Sequence, residues 1–110
     1  MNDADLFAAP VPADVSFDEM LACVDRELKM RAKVYPRWVA DGKLPKRNAD
    51  LEILRLRAVR LRLLTAEAWN VVLIEMMAGP ALAAEEENGL HDKAAARLDA
   101  LLQRYPEVPS

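Results

Sequence analysis

A chain of 110 residues with 53% hydrophobic residues is sized for a single domain and is too apolar for global disorder. Its one cysteine, Cys23, excludes an intramolecular disulfide and a cysteine-built zinc site, and three glycines leave no material for a glycine-rich phosphate loop. The formal net charge of −3 hides a sorting: Arg26 to Arg62 holds twelve basic residues against four acids, a net of +8, and the remainder holds three against fourteen, a net of −11. A positive field of that size attracts phosphates or an acidic protein unless the chain's own acids neutralise it.

Residues 1–15, with Pro10, Pro12 and several acids, read as a disordered tail, in which Phe7 reads as a disordered apolar residue rather than a docking anchor. The acidic start lacks the basic opening of a secretory leader. No apolar run, Val71 to Ile74 included, approaches the roughly 18 residues of a membrane span. The expectation is a cytoplasmic protein with no membrane partner.

The first helix is predicted to start at Ser16, where Ser16 and Glu19 form an S-x-x-E capping box. Phe17, Met20, Leu21, Val24 and Leu28 then fall on one stripe at helical spacing, with Cys23 read as a small core residue beside them. Tyr35 and Trp38 continue that phase and read as core, the alternative being exposed rings on which bases could stack. Pro36 removes an amide and clashes one turn back, so a kink or break is expected near Val34–Tyr35, with a short helix from Pro36 to Ala40. Gly42 is placed as the C′ residue that ends it.

After a basic turn from Lys43 to Arg47, a long helix is predicted from about Asn48 toward Met77. It carries two apolar stripes. Leu51, Leu54, Ala58, Leu61, Ala68, Trp69, Val72 and Met76 make one; Leu56, Val59, Leu63, Ala66, Leu73, Ile74 and Met77 make the other. Arg55, Arg62, Arg57 and Arg60 fill the gaps. A helix apolar on two sides needs two partners. The alternation Leu54-Arg55-Leu56-Arg57 also fits a strand, but the flanking segments are good helix formers without a turn signal before Gly79. Beyond Pro80, a helical turn is expected at Ala81 to Glu87, closed by Asn88-Gly89. Asp92 then caps a last helix, Lys93 to Arg104, that packs through Ala96, Leu98, Leu101 and Leu102. Residues 106–110 read as a frayed end.

Chemistry is sparse. Glu85-Glu86-Glu87 point about 100° apart and do not converge on a metal. His91 has no positioned partner in the sequence, and Cys23 has no activating base. No nucleophile elbow or metal-binding helix is present. The expectation is a protein without catalytic residues, metal or cofactor. The basic segment is the candidate contact surface, with Lys29, Lys33, Arg37, Lys43, Lys46, Arg47, Arg55 and Arg62 placed to meet nucleic-acid phosphates or an acidic partner. Leu56, Val59, Leu63 and Leu73 are the candidate dimer or partner face.

The run Glu27-Leu28-Lys29-Met30-Arg31-Ala32-Lys33-Val34-Tyr35-Pro36-Arg37-Trp38-Val39-Ala40-Asp41-Gly42-Lys43, followed by Ala49-Asp50-Leu51-Glu52-Ile53, resembles a segment shared by small uncharacterised phage and prophage proteins. The resemblance covers about residues 20–60. It implies a helical hairpin and a phage-related origin, hence a host-cell cytoplasm, and it implies no activity.

Together these readings predict an all-α protein: a kinked helical hairpin on a long central helix, with a shorter C-terminal helix, in one domain over residues 16–105. One short helix cannot cover a spine of about 30 residues, roughly 45 Å long, so exposed apolar surface and a homodimer or protein partner are expected. The leading functional expectation is a non-enzymatic binding protein acting through the basic segment, one version being an inhibitor of a host nucleic-acid-handling machine. Direct nucleic-acid binding and a structural homo-oligomer are the alternatives.

Overall fold

The computed structural model describes residues 11–78 and 89–107. The readings placed on Phe7, on Ala81 to Glu87, on Asn88 and on residues 108–110 lie outside them. Among the described residues there are three α-helices and no strand: α1, Phe17–Ala40; α2, Lys46–Ala78; and α3, Leu90–Arg104. Pro12–Asp14 form a single 3-10 turn ahead of α1, closed by the Val11 amide donating to Asp14 Oδ2 at 3.1 Å.

Helix α1 starts where its cap predicts. The Ser16 hydroxyl accepts from the Glu19 amide at 3.2 Å, satisfying one of the orphan donors of the first turn. The expected break at Val34–Tyr35 and the separate helix from Pro36 are absent, because α1 is one helix to Ala40 with Pro36 in its interior. The proline removes a single amide, the one that would reach Ala32. The apolar face on either side of it, Ala32, Tyr35 and Val39, still faces α2, where it lines a groove with Ala49 and Ile53. The end of α1 is a Schellman turn. The Gly42 amide reaches Val39 O at 3.1 Å, the Lys43 amide reaches Trp38 O at 2.9 Å, and Gly42 has φ 73°. No atom crowds a side chain at this position, so the positive φ alone requires glycine.

Helix α2 begins two residues before the expected Asn48, since Pro45 O already accepts from the Ala49 amide at 3.1 Å. Helix α3 begins at Leu90, not at Lys93. Its first carbonyl is that of Gly89, which accepts from the Lys93 amide at 3.0 Å, so Asp92 sits inside the first turn and is not the cap.

Both α1 and α3 run antiparallel to α2 and touch little but α2. On one side Asp25 meets Arg60 and Arg31 meets Glu52; on the other His91 meets Trp69 and Glu107 meets Arg57. The molecule is thin, with extents of 60 × 48 × 20 Å and a radius of gyration of 19.3 Å. A compact chain of this length has about 13 Å.

Among the described residues the buried apolar side chains are correspondingly few: Leu21 and Leu28 of α1, Ala49, Leu64, Ala68 and Val72 of α2, and Ala94 of α3. This strip of α2 is not either of the two expected stripes. It runs from Ala49 through Arg60 and Leu64 before joining the first stripe at Ala68 and Val72. The N-terminal part of the first stripe, Leu54 and Leu61, is exposed. So are Val59, Leu73, Ile74 and Met77 of the second, while Leu56 and Leu63 are half-buried. Cys23 and Ala96, both expected inside, are exposed, and Ala94 takes the packing position on α3.

Candidate polyanion interface

On α1 the residues Arg26, Lys29, Lys33 and Arg37 follow at steps of three and four. At about 100° per residue they lie within an arc of about 80°. All four are exposed. Leu21 and Leu28 are buried toward the opposite side, so the arc is the outer face of the helix. It spans about 16 Å. The hairpin corner adds Lys43 and Arg47, both exposed.

Ion pairing divides the basic segment into two groups. Among the described residues, Arg26, Lys29, Lys33, Arg37, Lys43, Arg47 and Arg62 have no carboxylate within 4.0 Å. The others are engaged by the chain's own acids. Lys46 meets Asp50 at 2.8 Å, Arg55 meets Glu52 at 2.9 Å, and Arg31 bridges Glu52 at 3.2 Å and Glu27 at 3.6 Å. The hydrogen bond and charge of Asp50 hold the Lys46 ammonium above its ordinary pKa. Of the eight residues singled out from the sequence, Lys29, Lys33, Arg37, Lys43 and Arg47 thus lie unpaired on α1 and its corner. Lys46 is neutralised beside them. Arg55 and Arg62 stand on α2, away from the outer face of α1.

Trp38 differs from its sequence reading. It is 42% exposed at the hairpin end of α1, next to Arg37, and its ring centroid lies 5.8 Å from that of the half-buried Tyr35 at a tilt of 37°. Its carbonyl accepts from the Lys43 and Leu44 amides at 2.9 and 3.3 Å, which fixes its backbone. Tyr35 lines a groove of about 260 Å³ between α1 and α2 with Ala32, Pro36, Val39, Ala49 and Ile53.

Arg60, read from the sequence as filling a gap between the two apolar stripes, is a structural centre. It is 3% exposed. Its Nε donates to Asp25 Oδ1 at 2.7 Å, and its Nη2 donates to the carbonyls of Tyr105 and Pro106 at 2.9 and 3.0 Å. One guanidinium therefore ties α1, α2 and the end of α3 together. Arg57 closes the same end with a fork onto Glu107, its shortest contact 2.9 Å. Pro106 and Glu107, assigned to the frayed end by the sequence, are engaged here. The signal for Arg60 was present: it falls four residues after Leu56 and four before Leu64, in core phase, as Asp25 does between Leu21 and Leu28.

Tyr105 completes the junction. Its ring packs edge-on against Phe17 at 5.9 Å, and its hydroxyl donates to Asp18 Oδ1 at 3.1 Å. That hydrogen bond first, and burial second, raise the Tyr105 pKa. The folded state thus favours the neutral phenol. Its contribution is complete below the ordinary tyrosine value of about 10 and is lost as pH rises through the raised one. Tyr105→Phe should lower the urea midpoint near neutral pH and match wild type in strong alkali; equal midpoints near neutrality would remove the bond from the account.

A second groove of about 540 Å³ lies between the start of α1, α2 and α3, and its lining includes Asp18, Glu67, Arg97 and Arg104. Its charges are balanced. Among the described residues no group of three or more His, Cys, Asp or Glu is arranged to hold a metal ion, and no helix is long and apolar enough to cross a membrane. No protein-family model matches this chain, and neither does any curated protein or solved structure.

Proposed function

We propose that this is a non-enzymatic binding protein that contacts nucleic-acid phosphates through the outer face of α1 and the hairpin corner. The observation that carries this reading is the row Arg26, Lys29, Lys33 and Arg37, continued by Lys43 and Arg47, exposed and without acid partners among the described residues. Cations already paired offer little to a ligand; unpaired ones release counterions when they meet phosphates, which drives association. Nucleic acid suits this face better than an acidic protein does, because protein-interface cores are depleted of charge and this face is dense in it. In the phage-type setting suggested by residues 20–60, the protein would act in the host cytoplasm by occupying nucleic acid needed by a host machine.

The test is fluorescence anisotropy with labelled single- and double-stranded DNA and RNA at low and high salt. Binding should be present at low salt and fall steeply as salt rises. Lys29→Glu/Lys33→Glu/Arg37→Glu should weaken it by at least 100-fold and flatten the salt slope by about one unit per lost phosphate contact. Lys46→Ala, at a cation already held by Asp50, should change it little. Absence of binding at low salt would sink the proposal.

A second reading rests on a separate observation. Val59, Leu73, Ile74 and Met77 of α2 are each about half or more exposed, Met77 at 86%. A second copy meeting α2 there would form a dimer that survives high salt. Light scattering on the same samples measures its mass.

A further inference from the structure

We infer that the nucleic acid recognised is single-stranded and that Trp38, backed by Tyr35, is the platform on which an unpaired base stacks. This rests on the phosphate-contact reading and goes beyond it by naming the strandedness of the ligand and the residue that selects it. A row of cations alone does not distinguish a duplex from a single strand, because both present phosphates. An exposed aromatic ring does: the base faces of a duplex are covered by their neighbours, whereas those of a single strand are free to stack.

Three features place such a platform at the hairpin end. Trp38 is large, apolar and 42% exposed, so a sizeable part of its ring is open to a ligand. It directly follows Arg37, the last unpaired cation of the α1 row, and its carbonyl is bonded to the amide of Lys43, the next unpaired cation along the chain. Trp38 lies about 100° around α1 from Arg37, so a strand leaving the row at Arg37 reaches the aromatic pair by turning past the corner cations Lys43 and Arg47. Tyr35 then lies 5.8 Å from the Trp38 ring and lines an open groove of about 260 Å³. The Schellman turn holds the Trp38 backbone, so the platform costs little ordering on binding.

The experiment uses the full chain carrying Trp69→Phe, which leaves Trp38 as the only tryptophan. It is titrated with an oligothymidine single strand and with a mixed-sequence duplex of equal length, following tryptophan emission and anisotropy. The single strand should quench Trp38 and bind more tightly than the duplex. Trp38→Ala should weaken the single strand roughly 10- to 100-fold and leave the duplex unchanged, while Trp38→Phe keeps most of the affinity. Because Trp38 is exposed, the circular dichroism of these variants should match wild type. If single strand and duplex bind alike, with no quenching and no effect of Trp38→Ala, the stacking platform is refuted and phosphate contact stands. If neither binds at low salt, both readings fall, and Trp38 is left as an anchor for a protein.

Discussion

Arg60→Ala should cost about 3 kcal/mol of folding stability, a large share of what a domain of this size possesses. The substitution does more than delete a cation. It strands the carboxylate of Asp25, which lost part of its hydration on folding, together with the carbonyls of Tyr105 and Pro106, all three of which the guanidinium now satisfies. Removing one partner of a buried pair leaves the others uncompensated, and that penalty exceeds the net worth of the pair itself. The partial exposure of Asp25, 24% at its side chain, lets water relieve some of it, which is why the expected loss sits at the low end of the buried-pair range. Arg60→Lys should recover only part, since an ammonium lacks the planar fork that reaches the carboxylate from Nε and the carbonyls from Nη2. The midpoint of urea unfolding measures the loss. Hydrogen exchange should show α3 opening first, because Arg60 holds its end. Full stability in Arg60→Ala would mean that the junction is ornamental.

Leu64→Ala should be of similar size, about 3 kcal/mol, whereas Leu61→Ala, one turn away, should cost well under 1 kcal/mol. Leu64 is fully buried, and Leu61 is 51% exposed. In a core this sparse a deleted isobutyl group leaves a cavity with few neighbours able to fill it. The pair is measured by thermal or urea unfolding. Equal losses at the two positions would mean that the exposed face of α2 is covered in solution, which the light-scattering mass would then reveal.

The helices were legible because their ends are written in local chemistry. Ser16 caps α1, and Gly42 stops it by accepting a positive φ. What failed were judgements that depend on neighbours distant in the chain. A helical wheel treats arginine as a surface residue, so the α2 stripes were drawn around Arg60, and the buried strip runs through it. Its three acceptors lie 35, 45 and 46 residues away, beyond any local pattern. The proline break failed for a related reason. One lost amide weighs less than the face of α1 that continues past it onto α2. Trp38 was assigned to the core by approximate phase, yet it stands about 80° from the line through Leu28, Tyr35 and Val39. On the candidate interface, the sequence located the basic segment but not the division within it. Lys46 and Asp50, like Arg55 and Glu52, are one-turn neighbours on α2, whereas the engagement of Arg31 by Glu52 and of Arg60 by Asp25 depends on how α1 meets α2 after folding.

The thinness of the molecule has a consequence for how it responds to a ligand. A 20 Å layer with few buried side chains leaves much of its apolar surface wet even when folded. Unfolding then exposes less new surface than usual, so heat capacity and denaturant sensitivity change only modestly. Its own burial supplies a smaller part of its stability, and a partner that binds only the folded form adds to that stability with the logarithm of partner concentration. For such a chain, occupancy by any such partner and foldedness are two readings of one equilibrium, and its lifetime in a cell would track that partner's supply.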